Sequence, residues 1–231
     1  MSLNKVAIVS KLDVSRIKDV LNKYNFKISK DPDFVISYGG DGTILFSERL
    51  YPSIPKLIIK KNRICRKYEY MLGDLEKVLR KIKEGDFEII EEMKLRTVKN
   101  GYNLLALNEI QIHHKFPTKA IRFSLQTNGH KFENLIGDGV VVSTPFGSLA
   151  YYKVTGGKPF KKGIGISFNN LYNRKEKSFV VDENLEIKIK ILREEGFLSE
   201  DNNENIIELK EGDTVFIKKA KEKAKIISVN L

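Results

Sequence analysis

A glycine-rich turn directly after a short apolar run is the feature that most restricts how this chain can fold. Residues 34–36 read as a buried strand, and residues 38–43 that follow are Tyr-Gly-Gly-Asp-Gly-Thr. Glycine has no Cβ, so backbone N–H groups in such a turn can approach a phosphate closely. The carboxylate of Asp41 would repel phosphate unless it accepts a proton from an attacking hydroxyl or binds a divalent metal. The segment therefore predicts phosphoryl transfer at a strand end, with Thr43 as the N-cap of the next helix.

The first part of the chain alternates between strand-like and helix-like patterns. Residues 6–9 and 34–37 read as extended, and residues 14–24 between them carry apolar side chains at helical spacing. This alternation predicts an α/β domain with a Rossmann-like parallel sheet. Ligands of such sheets bind beyond the carboxyl ends of the strands, which is where the glycine-rich turn lies. Two further elements are expected, a strand at 56–60 and a helix at 74–83.

From about residue 87 the sequence changes to short alternating strands. Asn-Gly pairs at 100–101 and 128–129 favour tight hairpins. The pattern predicts an all-β, sandwich-like C-terminal domain. We expect residues 1–94 to form the α/β domain and residues 95–231 the β-rich domain, with a last strand at 224–231 that can return to the first domain.

Composition narrows the class of partner. Forty-one Lys and Arg against 30 Asp and Glu give a net charge of +11, which favours polyanions such as nucleotides and polyphosphate. The basic residues are scattered among acidic ones, so nucleic acid is not an expected partner. A single cysteine, Cys65, excludes an internal disulfide framework and a multi-cysteine zinc site. With no secretory segment or long apolar run, we expect a cytoplasmic protein without membrane contact.

Two further motifs follow the turn. Asn108-Glu109 comes after an apolar run, and residues 138–157 contain Asp-Gly, a hydrophobic run and Ser-Thr-Pro-Phe-Gly-Ser-Leu-Ala-Tyr. Together with Gly-Gly-Asp-Gly-Thr, these motifs resemble the NAD kinase family in identity and order. The late block is the most specific, because diacylglycerol kinases, sphingosine kinases and phosphofructokinases carry similar turns. Abundant Lys, Glu and Ile without Trp suit a thermophilic archaeal member.

The resemblance implies phosphorylation of NAD at the 2′-hydroxyl of its adenosine ribose, giving NADP. The implied donor is ATP or polyphosphate, bound with a divalent metal, expected to be Mg²⁺, whose protein ligands the sequence does not identify. A ribose hydroxyl is a poor nucleophile at neutral pH, so Asp41 is the expected catalytic base. Since relatives assemble as homodimers or homotetramers, the same is expected here.

The resemblance also assigns further residues to the two ligands. The donor-phosphate loop comprises Gly39, Gly40, Gly42 and Thr43. The residues assigned to NAD are Asp41, Gly42, Asn62, Asn108, Glu109, Lys119, Asp138, Thr144, Leu149, Ala150, Tyr151 and Val154. His113 and His114 are adjacent on a strand and point to opposite faces, so we expect them to be structural.

The sequence departs from the family pattern after the turn and its helix. Relatives have a glycine-rich, Asn-containing segment where this chain has residues 58–65, and Asn62 alone corresponds to it. Leu149 and Phe146 replace threonines, which removes hydrogen bonds worth about 1 kcal/mol each. Two alternatives stay open: a lipid kinase of the diacylglycerol kinase type, which shares the turn, and a non-catalytic NAD(P) sensor of the same fold.

Overall fold

Two units make up the chain in this computed structural model, which describes residues 3–172 and 177–231. Unit 1 comprises Met1–Glu92 and Lys223–Leu231, and unit 2 comprises Met93–Glu222. The predicted fold class is confirmed, because a parallel α/β sheet occurs with antiparallel β-structure. No helix in the described ranges is long and apolar enough to cross a membrane.

The elements are numbered in chain order. The strands are β1 (Lys5–Val9), β2 (Lys27–Ile28), β3 (Phe34–Gly39), β4 (Lys56–Lys60), β5 (Glu69–Met71), β6 (Glu88–Lys99), β7 (Tyr102–Ala106), β8 (Glu109–His114), β9 (Ile121–Thr127), β10 (His130–Gly137), β11 (Gly139–Ser143), β12 (Ile164–Asn169), β13 (Phe179–Val181), β14 (Ile187–Arg193), β15 (Gly196–Glu200), β16 (Ile207–Leu209) and β17 (Thr214–Ser228). The α-helices are α1 (Ser15–Lys23), α2 (Asp41–Leu50), α3 (Leu75–Glu84) and α4 (Tyr151–Val154).

Unit 1 is built on a parallel sheet in the order β2-β1-β3-β4. Every residue of β3 and β4 is buried, as expected for strands covered on both faces. Helix α3 buries apolar residues at helical spacing and ends at Gly85, whose φ of 79° is left-handed. Because Gly39 is in register with Lys60, the carboxyl ends of β3 and β4 lie side by side.

Unit 2 is a sandwich of two antiparallel sheets. One contains β10-β9-β14-β17 in that order, with β6 and β7 continuing from β17, and the other has the order β13-β12-β11-β8-β15-β16. Strand β14 alternates buried isoleucines with exposed lysines, so one of its faces packs into the core. The core between the sheets includes Phe123 and Ile189 from the first and Ile112, Val140 and Ile166 from the second.

The Asn-Gly pairs form the turns that their composition predicted. Asn100 and Gly101 join β6 to β7 and have φ angles of 52° and 80°, as a two-residue turn with two left-handed positions requires. Gly129, with φ 82°, lies in the turn between β9 and β10.

Some strands differ from expectation. The last strand, expected at 224–231, is the end of one strand of 15 residues, β17, which begins at Thr214 and ends at Ser228. Several strands were not anticipated, among them β12, β13 and β15. Gly165 within β12 weakens the local strand signal, yet that position must be glycine because a Cβ there would lie 2.4 Å from the Phe160 ring.

Candidate active site

The Gly-Gly-Asp-Gly-Thr turn joins β3 directly to α2. Gly40 is the N-cap with an extended backbone, and Asp41 is the first helical residue. The expectation that Thr43 caps this helix is wrong, because Thr43 is the third helical residue and its N–H bonds to the Gly40 carbonyl at 3.1 Å. Thr43 instead packs on Gly39, where a Cβ would lie 2.4 Å from its Oγ1. The turn is therefore closed by a contact that only glycine permits.

Asp41 combines exposure with a buried cationic partner. Its side chain is 61% exposed and lies in the first turn of α2, where the helix dipole favours negative charge. One carboxylate oxygen accepts a hydrogen bond from Nζ of Lys60, whose side chain is 5% exposed. Lys60 was not among the expected site residues, since a lysine at the end of an apolar run gives no sign of the partner it reaches.

Asn108 and Glu109 lie at the connection between β7 and β8 in unit 2. The carboxylate of Asp201 accepts the backbone N–H groups of Leu107 at 2.8 Å, Asn108 at 2.8 Å and Glu109 at 3.1 Å. Asp201 directly follows β15 and, like Lys60, was not predicted from the sequence as a site residue. An Asp in an Asp-Asn-Asn turn indicates only a turn, not which distant backbone it binds.

Both side chains of this pair carry buried polar atoms. Within residues 3–172 and 177–231, Oδ1 of Asn108 and Oε2 of Glu109 have no hydrogen-bond partner. Such atoms are rare because each costs desolvation energy, and a bound ligand is one way to satisfy them. Oε1 of Glu109 accepts a hydrogen bond from Gln111 at 3.3 Å.

The two acids beside this turn have altered pKa values. Burial, together with the charge of Asp201, raises the pKa of Glu109 to about 8, although the bond from Gln111 opposes the shift. Burial also raises the pKa of Asp201 to about 6, against the three backbone N–H bonds that lower it. At pH 7 Glu109 is therefore mainly protonated and can donate a hydrogen bond, while Asp201 is mainly ionised.

The Ser-Thr-Pro segment packs against the same turn. Thr144 accepts the Gly147 N–H at 3.0 Å, donates its hydroxyl to the Leu107 carbonyl at 2.6 Å and donates its N–H to the Asn108 carbonyl at 2.8 Å. A Cβ on Gly147 would lie 2.2 Å from that Asn108 oxygen. Thr144 is fully buried, so these bonds hold the Asn108 backbone in place.

An exposed apolar strip follows this segment. Leu149 ends the 3₁₀ helix Phe146–Leu149, and Tyr151 and Val154, which are 56% and 80% exposed, begin and end α4. Ala150 lies between them and is half-buried. By contrast, Tyr152 is buried against Phe160. The strip offers an apolar surface of the kind on which a base can pack.

The remaining predicted residues of unit 2 are not brought to the Asn108–Glu109 turn. Gly139 pairs with His113 and Ser143 with Glu109, so Asp138 lies at the opposite end of β11. Asp138 accepts a hydrogen bond from Asn170 at 2.7 Å. Lys119 forms an ion pair with Glu194 at 2.9 Å in the loop after β8, and exposed Asn62 follows β4 in unit 1.

A carboxylate on a glycine-rich turn at the carboxyl end of a parallel sheet is an arrangement typical of phosphotransferases. A family model described as the ATP-NAD kinase C-terminal domain matches residues 107–229. The chain belongs to the NAD kinase family, which confirms the prediction from its motifs.

Individual relatives agree with this assignment. An NAD kinase of Thermoplasma acidophilum is 30% identical over 215 residues, covering 90% of this chain and 78% of the relative. An NAD kinase of Thermoplasma volcanium is 31% identical over 204 residues, covering 85% of this chain and 74% of the relative.

Two solved structures share the fold. An NAD kinase from Archaeoglobus fulgidus in complex with ATP has a TM-score of 0.83 at 23% identity and covers 98% of this chain and 93% of its own. Yeast NADH kinase complexed with NADH has a TM-score of 0.82 at 15% identity and covers 100% of this chain and 84% of its own.

Proposed function

We propose that this chain is an NAD kinase that transfers a phosphoryl group from ATP to the 2′-hydroxyl of the adenosine ribose of NAD. The observation that carries the proposal is the exposed Asp41 carboxylate on the glycine-rich turn, in a chain of this family. The ATP complex of the Archaeoglobus relative supports ATP as donor, and polyphosphate is the second donor to test.

Asp41 is the proposed catalytic base. A ribose hydroxyl becomes an adequate nucleophile when a positioned carboxylate accepts its proton as the bond to phosphorus forms. Gly39, Gly40, Gly42 and Thr43 bind the donor phosphates, helped by the positive end of the α2 dipole. The turn thus serves both the donor and the base.

The proposed NAD contacts divide by chemistry. Oδ1 of Asn108 can accept a hydrogen bond from a ribose hydroxyl, and protonated Glu109 can donate one through its O–H group. Both buried oxygens that lack a partner would then be hydrogen-bonded. Leu149, Ala150, Tyr151 and Val154 pack on a ring of the dinucleotide. Thr144 acts by holding the Asn108 backbone. The family resemblance alone supports the proposed NAD contacts of Asn62, Lys119 and Asp138.

We also propose that a divalent metal binds together with the donor phosphates. The described ranges contain no group of three His, Cys, Asp or Glu side chains that could hold a metal. Mg²⁺ commonly binds through substrate phosphates with only one or two carboxylates, and Asp41 could supply one such ligand. When bound, the metal would neutralise charge on the phosphates.

The quaternary state is proposed on the resemblance to relatives. We expect a cytoplasmic homodimer or homotetramer, and light scattering of the purified protein gives its mass directly. A monomer at micromolar concentration would contradict this expectation without affecting the proposed reaction.

The decisive assay incubates the protein with NAD, Mg²⁺ and either ATP or polyphosphate, and detects NADP with an NADP-specific dehydrogenase. Asp41→Asn should lower kcat by about 10²–10⁴-fold, because it removes the base, while NAD affinity stays measurable. The control is Asp19→Asn, an exposed acid on α1, which should keep wild-type turnover. NAD binding without turnover by the wild type under either donor would favour a sensor.

A further inference from the structure

We propose that Lys60 is a phosphate ligand of the donor site, contacting the phosphoryl group under transfer with its ammonium. This inference rests on the proposed function and adds a residue to it. Lys60 lies within residues 58–65, where the sequence departs from the family pattern, so the departure supplies a cation at the end of β4.

The burial of Lys60 is the first observation. Lysine is rarely buried unless it is paired, because its ammonium loses hydration. The Lys60 side chain is nevertheless 5% exposed. Since Lys60 pairs in register with Gly39, its backbone lies beside the first glycine of the turn. A buried cation is thus fixed at the edge where parallel sheets bind ligands.

The second observation is how the neighbouring charges are paired. Buried Glu69 accepts hydrogen bonds from Arg66 Nη1 at 3.0 Å and from the backbone N–H groups of Cys65 at 2.6 Å and Arg66 at 3.1 Å. Its distance to Lys60 Nζ is longer, 3.8 Å. Arg66 is therefore the nearer cation to Glu69, and the hydrogen-bond partner of Lys60 is Asp41.

This pairing matters because the exposed Asp41 carboxylate can turn away from Lys60. When the Asp41 carboxylate turns to a substrate hydroxyl, its bond to the ammonium is exchanged, and Lys60 can donate to a phosphate oxygen instead. A lysine acts on phosphate as a compact point charge. Lys60 also offsets the negative charge that Asp41 brings to the turn, so one site can hold both a base and a polyanion.

The test compares Lys60→Met, which keeps the length and removes the charge, with Lys60→Arg and Lys61→Met. Lys61 is the adjacent exposed lysine and controls for net charge. Binding of inorganic tripolyphosphate and of NAD is measured by calorimetry, and kcat and KM for ATP by NADP formation. Lys60→Met should weaken tripolyphosphate binding about tenfold or more, raise KM for ATP and lower kcat, with NAD affinity within about twofold of wild type.

Lys60→Arg should recover part of the loss, and Lys61→Met should match the wild type. Wild-type tripolyphosphate affinity in Lys60→Met would overturn the proposal and leave Lys60 a structural ion pair. If Lys60→Met does not fold, Lys60→Gln, which removes the charge and keeps a polar end group, is measured in its place. A wild type that forms no NADP would defeat the proposed reaction, whereas the tripolyphosphate comparison would still decide the role of Lys60.

Discussion

Glu109 is protonated at neutral pH because its carboxyl group is buried and faces a second acid, Asp201. A protonated carboxyl donates a hydrogen bond, whereas a carboxylate only accepts one. The Asn-Glu dipeptide therefore offers a ligand both a donor and an acceptor, although its sequence suggests a negative charge. The environment of the residue, not its type, sets this chemistry.

The raised pKa of Glu109 predicts a stability that falls as pH rises. The ordinary pKa of a glutamate side chain is 4.5 and that of Glu109 in the fold is about 8, so between these values the folded state keeps a proton that the unfolded state releases. The free energy of unfolding should then fall by at most about 1.4 kcal/mol per pH unit from this group. Urea unfolding at several pH values measures the slope.

Glu109→Gln should flatten that slope between pH 6 and 8. Asp201 contributes a fall in the same direction from 3.8 to about 6, so the comparison is made above pH 6. The matched control is Glu211→Gln in an exposed turn, which should keep the wild-type slope. A slope unchanged in Glu109→Gln would show that Glu109 is ionised in the fold.

The connection between β7 and β8 is held in place by a residue from a distant part of the sequence. Three successive backbone N–H groups end on the Asp201 carboxylate, which belongs to the turn after β15. The connection contains both Asn108 and the start of β8, so its geometry sets where these side chains point. Asp201 is thus a positioning residue for the proposed NAD contacts.

Asp201→Ala should leave those N–H groups without their acceptor. We expect a loss of about 1–3 kcal/mol in the free energy of unfolding and a higher KM for NAD, with KM for ATP little changed. Chemical denaturation and steady-state kinetics measure the two effects. Asn205→Ala, at an exposed position of the same loop, is the control. An unchanged KM for NAD would contradict the positioning role.

Local sequence signals predicted the elements whose causes are local. Apolar runs identified β3 and β4, and Asn-Gly pairs identified two hairpins. The motif residues of the proposed site were identified in the same way. Lys60 and Asp201 could not be, because their contacts join residues 19 and 93 positions apart. The N-cap was misjudged because Gly40 takes that position without any side-chain signal.

At the scale of the whole molecule, unit 1 is discontinuous in sequence, because residues 223–231 join it after the whole of unit 2. Ile226 in β17 pairs in parallel with Lys56 in β4, and Ile226 and Ile227 are buried. The Tyr70 hydroxyl donates to the Val229 carbonyl at 3.0 Å and accepts the Val229 N–H at 2.5 Å. Unit 1 is therefore completed by a segment distant in sequence.

Tyr70→Phe should remove the hydroxyl that pairs both backbone groups of Val229. We expect a loss of about 2 kcal/mol in the free energy of unfolding, since buried polar groups would be left unpaired. Urea denaturation followed by circular dichroism measures the loss. Tyr172→Phe, the same change at a side chain 87% exposed in unit 2, should have no effect. Equal free energies of unfolding in the two variants would show that the hydrogen bonds between Tyr70 and Val229 do not stabilise unit 1.

The discontinuity of unit 1 has a consequence for its synthesis. At about 5–20 residues per second, the ribosome takes roughly ten seconds to make unit 2 after the first segment of unit 1 has been translated. Throughout that time β4 lacks its β17 neighbour and Tyr70 lacks Val229. Unit 2 is contiguous and can fold as it emerges, whereas unit 1 must wait for its final segment. While unit 2 is being translated, the nascent chain therefore exposes an incomplete α/β sheet to chaperones.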